Sequence, residues 1–153
     1  MKLSNFIVKT LSTFFYIGYL PLIPGTFASI AGVFLFYFLK DNLLIYIFSI
    51  LFLLLIGILV GERAEEVFQR KDCPFIVIDE VLGMLLSLIF IPYDIKLVII
   101  AFVIFRILDT LKPYPASMLQ NLKGGIGIMG DDIVAGLYTN IILQLALRLA
   151  VFS

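Results

Sequence analysis

The chain has 153 residues, of which 62% are hydrophobic and 14% charged, whereas a soluble domain holds about 45–50% apolar and about 25% charged residues. With a mean hydropathy of +1.14, one small globule could not hide this apolar surface, and a bilayer is the expected solvent. The net charge of zero offers no basic field for nucleic acid, and the absence of histidine excludes imidazole bases, phosphohistidine intermediates and Ser-His-Asp triads.

In chain order, residues 5–16 place Phe6, Ile7, Leu11, Phe14 and Phe15 near helical spacing. A helix that short cannot cross a core of about 30 Å, so residues 1–17 are predicted to lie along the membrane surface. Residues 18–153 are then the helical bundle of a single domain. Its first helix is expected from Thr26, as N-cap, to Lys40, and the second from Asn42 to beyond Glu62. A third is expected from Asp79 to Ile91, stopped by Pro92, a fourth from Asp94 to Leu111 and a fifth from Asp131 to Phe152. The predicted fold is therefore all-α: an integral membrane bundle of about five hydrophobic helices plus an interfacial one.

If five segments cross in turn, nine acidic residues (Glu62, Glu65, Glu66, Asp72, Asp79, Glu80, Asp109, Asp131 and Asp132) fall on one side, and only Asp41 and Asp94 on the other. Eight positive residues (Lys2, Lys9, Arg63, Arg70, Lys71, Arg106, Lys112 and Lys123) share the acidic side, against Lys40, Lys96 and Arg148 opposite. The positive-inside rule makes the charged side cytoplasmic.

Asp79, Glu80, Asp109, Asp131 and Asp132 each fall at or near a charged helix end. Two carboxylates 4 Å apart repel by about 4 kcal/mol at an effective dielectric of 20, so their convergence would favour protonation or a bound cation. An oxygen-only ligand set suits Mg²⁺. The same acids have a simpler reading as helix caps, and Arg106 with Asp109 as an intrahelical ion pair. Glu62, Arg63, Glu65 and Glu66 read as a solvated helix end.

Arg106, Lys112 and Lys123 put positive charge beside the acids, and the run Gly124-Gly125-Ile126-Gly127 could bring backbone N–H groups to an anion or be only a turn. Gly83, Ala135 and Gly136 are expected to pack helices closely and draw the acids together. Cys73 can form neither an internal disulfide nor a Cys-rich zinc site, and Asp79 stands six positions on where a cysteine phosphatase would need arginine; it reads as a bystander.

Four segments carry a resemblance: Pro21-Leu-Ile-Pro-Gly-Thr-Phe-Ala-Ser29, Ile78-Asp-Glu-Val-Leu-Gly83, Phe105-Arg-Ile-Leu-Asp-Thr-Leu-Lys-Pro-Tyr-Pro115 and Gly124-Gly-Ile-Gly-Ile-Met-Gly-Asp-Asp-Ile-Val-Ala-Gly136. In content and order they resemble bacterial phosphatidylglycerophosphatase A over about residues 18 to 140, with Ala28 where that family often has glycine. The resemblance implies a Mg²⁺-dependent enzyme of the bacterial inner membrane that converts phosphatidylglycerophosphate to phosphatidylglycerol, with its site on the cytoplasmic side. It implies a phospholipid partner, no nucleic acid and no obligate protein partner. Asp79, Glu80, Asp109, Asp131 and Asp132 are the pool for catalysis and metal ligation; Arg106, Lys112, Thr26, Lys123, Gly124 and Gly125 are the candidate substrate contacts. The competing reading, an ion-coupled carrier, would need its acids near the membrane midplane.

Overall fold

The computed structural model describes residues 4–71 and 73–152, so Lys2 and Asp72, counted above on the charged side, lie outside the described residues. The described residues form seven α-helices and one short 3₁₀ turn, with no strand among them: α1 Asn5–Ser12, α2 Pro24–Leu39, α3 Leu43–Phe68, α4 Ile78–Leu88, α5 Ile95–Leu111, α6 Ala116–Leu119 and α7 Gly125–Phe152. The all-helical expectation holds.

Two helix starts follow directly from local chemistry. Asn42 Oδ1 accepts from the Ile45 amide at 3.1 Å and Asp94 Oδ1 from the Lys96 amide at 2.7 Å, capping α3 and α5. Both long apolar runs therefore begin where the sequence places them. At their other ends Gln69 and Lys112 take left-handed backbone, with φ of 52° and 46°.

Other boundaries differ. The first helix ends at Ser12 rather than Tyr16, because the chain turns through left-handed conformations at Phe14, Phe15 and Tyr16. Thr26 does not cap α2. Pro24 opens that helix, its fixed φ and missing N–H suiting the first position. A short helix, α6, follows Pro115 where none was expected. The last helix begins at Gly125, six residues before Asp131, and absorbs most of the glycine run.

The largest departure is α4. At 11 residues it rises about 16 Å, and it stops at Leu88, ahead of Ile91. Its last carbonyls are satisfied from neighbouring helices: Tyr46 donates its hydroxyl to the Leu85 carbonyl at 2.7 Å, and Asn140 donates to those of Ser87 and Ile89 at 3.1 and 2.7 Å. A helix end provided with such partners can terminate inside an apolar bundle. Helix α4 is buried on nearly every face, packing most extensively against α7 and α2.

Among the described residues, only α3 and α7 are long and apolar enough to cross a membrane on their own, so the expectation of about five spanning helices is not confirmed. The exterior is nevertheless apolar. Leu44, Phe48, Leu51, Leu55 and Leu59 form an exposed stripe on α3, as do Ile95, Ile99, Val103 and Ile107 on α5, surface far beyond the patches that water-soluble monomers expose. This is the surface of a membrane protein. Helix α1 docks on α3 through buried Val8, and the Val77 amide donates to the Ser12 carbonyl at 2.9 Å, tying α1 to the entry of α4.

Candidate active site

Two glycines set the separation of the helices that carry the acids. A Cβ on Gly83 would stand 2.6 Å from the Phe105 ring and 2.9 Å from the Asp132 carbonyl, and one on Gly136 would collide with the Gly83 carbonyl and come within 3.0 Å of the Leu86 side chain. Helices α4 and α7 thus meet backbone to backbone, as the small residues led us to expect. Asp79 and Glu80, at the start of α4, are brought against Asp131 and Asp132 of α7, while the end of α5 adds Asp109.

These five acids line one cleft of ≈ 150 Å³, together with Lys112, Cys73, Pro74, Ile76, Gln120, Gly127 and Ile128. Within it the carboxylates divide into two groups. Asp109 is paired with Arg106 Nη1 at 2.7 Å and Asp131 with Lys112 Nζ at 2.6 Å. Asp79, Glu80 and Asp132 each present an oxygen within 4.8 Å of the other two. Of their oxygens, Asp79 Oδ1, Glu80 Oε2 and Asp132 Oδ1 are buried with no hydrogen-bond partner among the described residues. Buried polar atoms are normally satisfied, and leaving three carboxylate oxygens bare in close proximity is costly in low dielectric. This donor set fits a hard divalent cation: oxygen ligands only, no imidazole and mutually repelling charges.

Side-chain capping does not account for the acids, although Asp79 and Glu80 stand in the first turn of α4, where the helix dipole favours negative charge. The N-cap position of α4 is Val77, with no side-chain cap, and Asp131 and Asp132 sit in the second turn of α7, past the free amides of its N-terminus. The ion-pair reading of Arg106 and Asp109 is correct. So is the solvated end of α3, where Glu62, Arg63 and Glu66 are exposed and Arg63 pairs with Glu66.

Arg106 does not itself line the cleft but stands behind it, held against Asp109. Its Nη1 also lies 3.5 Å from Ser29 Oγ, and a Cβ on Gly25 would meet the Glu80 carboxylate and come within 3.4 Å of the same nitrogen. Gly25 and Ser29 of α2 therefore let the guanidinium and Glu80 approach. For Lys112, just past α5, burial is the largest influence and opposes the ammonium. The hydrogen bond to Asp131 and the charges of Asp131, Asp109 and Asp132 outweigh it, so its pKa lies above the ordinary lysine value.

Not every candidate joins the cleft. Lys123 is exposed, Thr26 half-buried in the first turn of α2, and neither lines it. The glycine run is not a free cradle: Gly124 alone has a positive φ, of 73°, and faces Glu62, while Gly125 packs against the Ile58 backbone. Gln120 and Cys73 line the cleft without having been singled out as site residues. Gln120 carried no signal, since the turn of α6 that returns it to the cleft is not visible as a pattern. Cys73 was set aside on the chemistry of thiols, which says nothing about where a residue sits.

Over residues 10–147 the chain matches the family described as Phosphatidylglycerophosphatase A. It is 39% identical over 123 residues to a protein of that name from Escherichia coli, covering 78% of this chain and 71% of that one. A Haemophilus influenzae protein of the same name is 35% identical over 124 residues, covering 78% and 76%. A Bacteroides thetaiotaomicron protein described as a candidate phosphatidylinositol-3-phosphatase is 33% identical over 155 residues, covering 95% and 97%. No solved structure matches the chain.

Proposed function

Because the chain belongs to the phosphatidylglycerophosphatase A family, we propose that it hydrolyses the terminal phosphomonoester of phosphatidylglycerophosphate, giving phosphatidylglycerol and phosphate, at the cytoplasmic face of the bacterial inner membrane. The observation that carries the reading is the division of the cleft: three carboxylates, each with one buried oxygen lacking a hydrogen-bond partner, stand beside two carboxylates held by cations. Asp79, Glu80 and Asp132 would hold Mg²⁺, which when bound supplies Lewis-acid charge at the phosphoryl oxygens.

The chain's own groups do the rest. Lys112 and Arg106 place positive charge beside the carboxylates, which offsets the approach of a phosphate to an acidic cleft and orients it. Asp109 and Asp131, each fixed by its cation, are the two carboxylates outside the triad that can accept the proton of the attacking water. Water adds to phosphorus and the bond from phosphorus to the glycerol oxygen breaks. The leaving oxygen takes up a proton, and the diester phosphate is untouched. The buried walls formed by Ile76 and Ile128 keep the cleft from opening fully to bulk water.

The similarity to the Bacteroides protein makes a 3-phosphorylated inositol lipid the second substrate to compare. Purified protein given each lipid in mixed micelles with Mg²⁺ should release phosphate from phosphatidylglycerophosphate with the higher kcat/KM. A higher value for phosphatidylinositol 3-phosphate would reverse the assignment.

A further inference from the structure

Arg106 has two environments. On one side its guanidinium joins Asp109 and reaches Ser29. On the other, with Val103, Ile107, Thr110 and Leu111, it lines an apolar groove of ≈ 460 Å³ on the outward face of α5. One turn back along the same helix, Val98, Ile99 and Phe102 face Ile30 and Val33 of α2 across a second apolar groove of ≈ 200 Å³. The two grooves share no lining residue; the first, toward the C-terminal end of α5, brings apolar surface up to the Arg106 guanidinium, whose partner Asp109 lines the cleft. A groove elsewhere on the bundle, lined by Leu35, Phe48, Ser49, Phe52 and Leu53, has no charged side chain.

A hydrocarbon path ending at a guanidinium, with a carboxylate cleft beyond it, has the layout of one molecule: an acyl chain, then an anionic headgroup, then the reacting phosphate. We infer that the groove beside Arg106 seats an acyl chain of the substrate lipid, and that the headgroup passes Arg106 to enter the cleft sideways from the bilayer. This rests on the lipid phosphatase reading above. Moving a chain from lipid into such a groove gains no hydrophobic free energy, because the bilayer is equally apolar. The groove therefore acts by shape, as a positioning and selecting surface, and Arg106 is the point at which chain register is converted into headgroup placement.

The test uses full-length protein in phosphatidylcholine vesicles with a phosphatidylglycerophosphate carrying a diazirine midway along one acyl chain. After irradiation, labelled peptides are mapped by mass spectrometry. Label is expected on Val103, Ile107, Thr110 and Leu111 of α5, removed by excess unlabelled phosphatidylglycerophosphate and retained when phosphatidylcholine is increased instead. Competable label concentrated on the α3 stripe, or groove label displaced equally by phosphatidylcholine, would overturn the inference. Ile107→Trp, at an exposed position, should lower the ratio of kcat/KM for dioleoyl over dihexanoyl substrate several-fold, and an unchanged ratio would also overturn it. If groove labelling is competed as described while the wild type releases no phosphate from the same lipid, the phosphatase assignment falls and the groove stands.

Discussion

Asp79, Glu80 and Asp132 converge with their charges uncompensated by any described hydrogen bond at three of their oxygens. Each close pair costs about 4 kcal/mol at 4 Å and an effective dielectric of 20, so a divalent cation should stabilise the fold as well as serve the reaction. In chelator, Asp132→Asn should melt no lower than the wild type, since it removes one repelling charge and keeps the side-chain size. Added Mg²⁺ should raise the wild-type Tm and raise that of the variant less; equal increments would remove Asp132 from the ligand set. The pair Lys112 and Asp131 makes a different prediction, because their side chains are only 31% and 11% exposed. A double-mutant cycle of Lys112→Met and Asp131→Asn should give a coupling of about 1–3 kcal/mol in unfolding free energy, the scale of a charge-assisted hydrogen bond. Coupling near zero would reduce this contact to a surface pair. The five acids were legible in the sequence as a group because they recur at the helix ends predicted from it, although Asp131 and Asp132 lie inside α7. Their division was not, because pairing with Arg106 or Lys112 depends on side-chain reach between helices, which no spacing encodes.

Helix α4 positions two of the acids, and it is held from both neighbours. Asn140 donates to the carbonyls of Ser87 and Ile89, so Asn140→Leu should destabilise the protein by about 1–3 kcal/mol for each carbonyl left bare. Thermal unfolding in detergent measures it, with little change expected in turnover per folded molecule; an undiminished Tm would show that other partners satisfy the end of α4. Gly136→Leu acts on the same interface by separating α4 from α7 and should lose about 1–3 kcal/mol by overpacking. Turnover should fall with it, since Asp79 and Glu80 would draw away from Asp132. The starts of α3 and α5 could be read from Asn42 and Asp94 because a cap is a local signal. The end of α4 could not, because the residue that satisfies it lies about fifty positions later. The start of α7 was hidden for a third reason: in Gly124 to Gly130 four glycines read as a turn, whereas Gly125 and Gly127 are helical residues in tight contact with neighbouring backbone.

At the scale of the molecule the two ends of the bundle are chemically unlike. One carries the acidic cleft. At the other, Lys40 lies over the Tyr37 and Tyr93 rings at 5.5 and 5.2 Å and pairs with Asp41 at 2.8 Å, in the manner of an interfacial belt. In a Cys73→Ser background, Lys123→Cys should react with a membrane-impermeant thiol reagent only from the cytoplasmic side, and Asp41→Cys only from the opposite one. Labelling of both from a single face would refute the proposed sidedness. Composition made the membrane legible at once, yet the number of crossings was not, because a short buried helix such as α4 and a short spanning one have the same apolar content.

We propose Asp79, Glu80 and Asp132, each with one buried oxygen lacking a hydrogen-bond partner, as a Mg²⁺ site serving lipid phosphomonoester hydrolysis. It is tested most directly by titrating Mg²⁺ into chelator-stripped protein with phosphatidylglycerophosphate and following phosphate release, with Glu66→Gln, in the exposed pair with Arg63, and Asp79→Asn in parallel. Wild type and Glu66→Gln should rise from no turnover to the same plateau. Asp79→Asn should reach a plateau lower by more than about 100-fold, beyond the 10–100-fold typical of a residue outside the ligand set. Phosphate release by the wild type in excess chelator, or a full plateau in Asp79→Asn, would contradict the account.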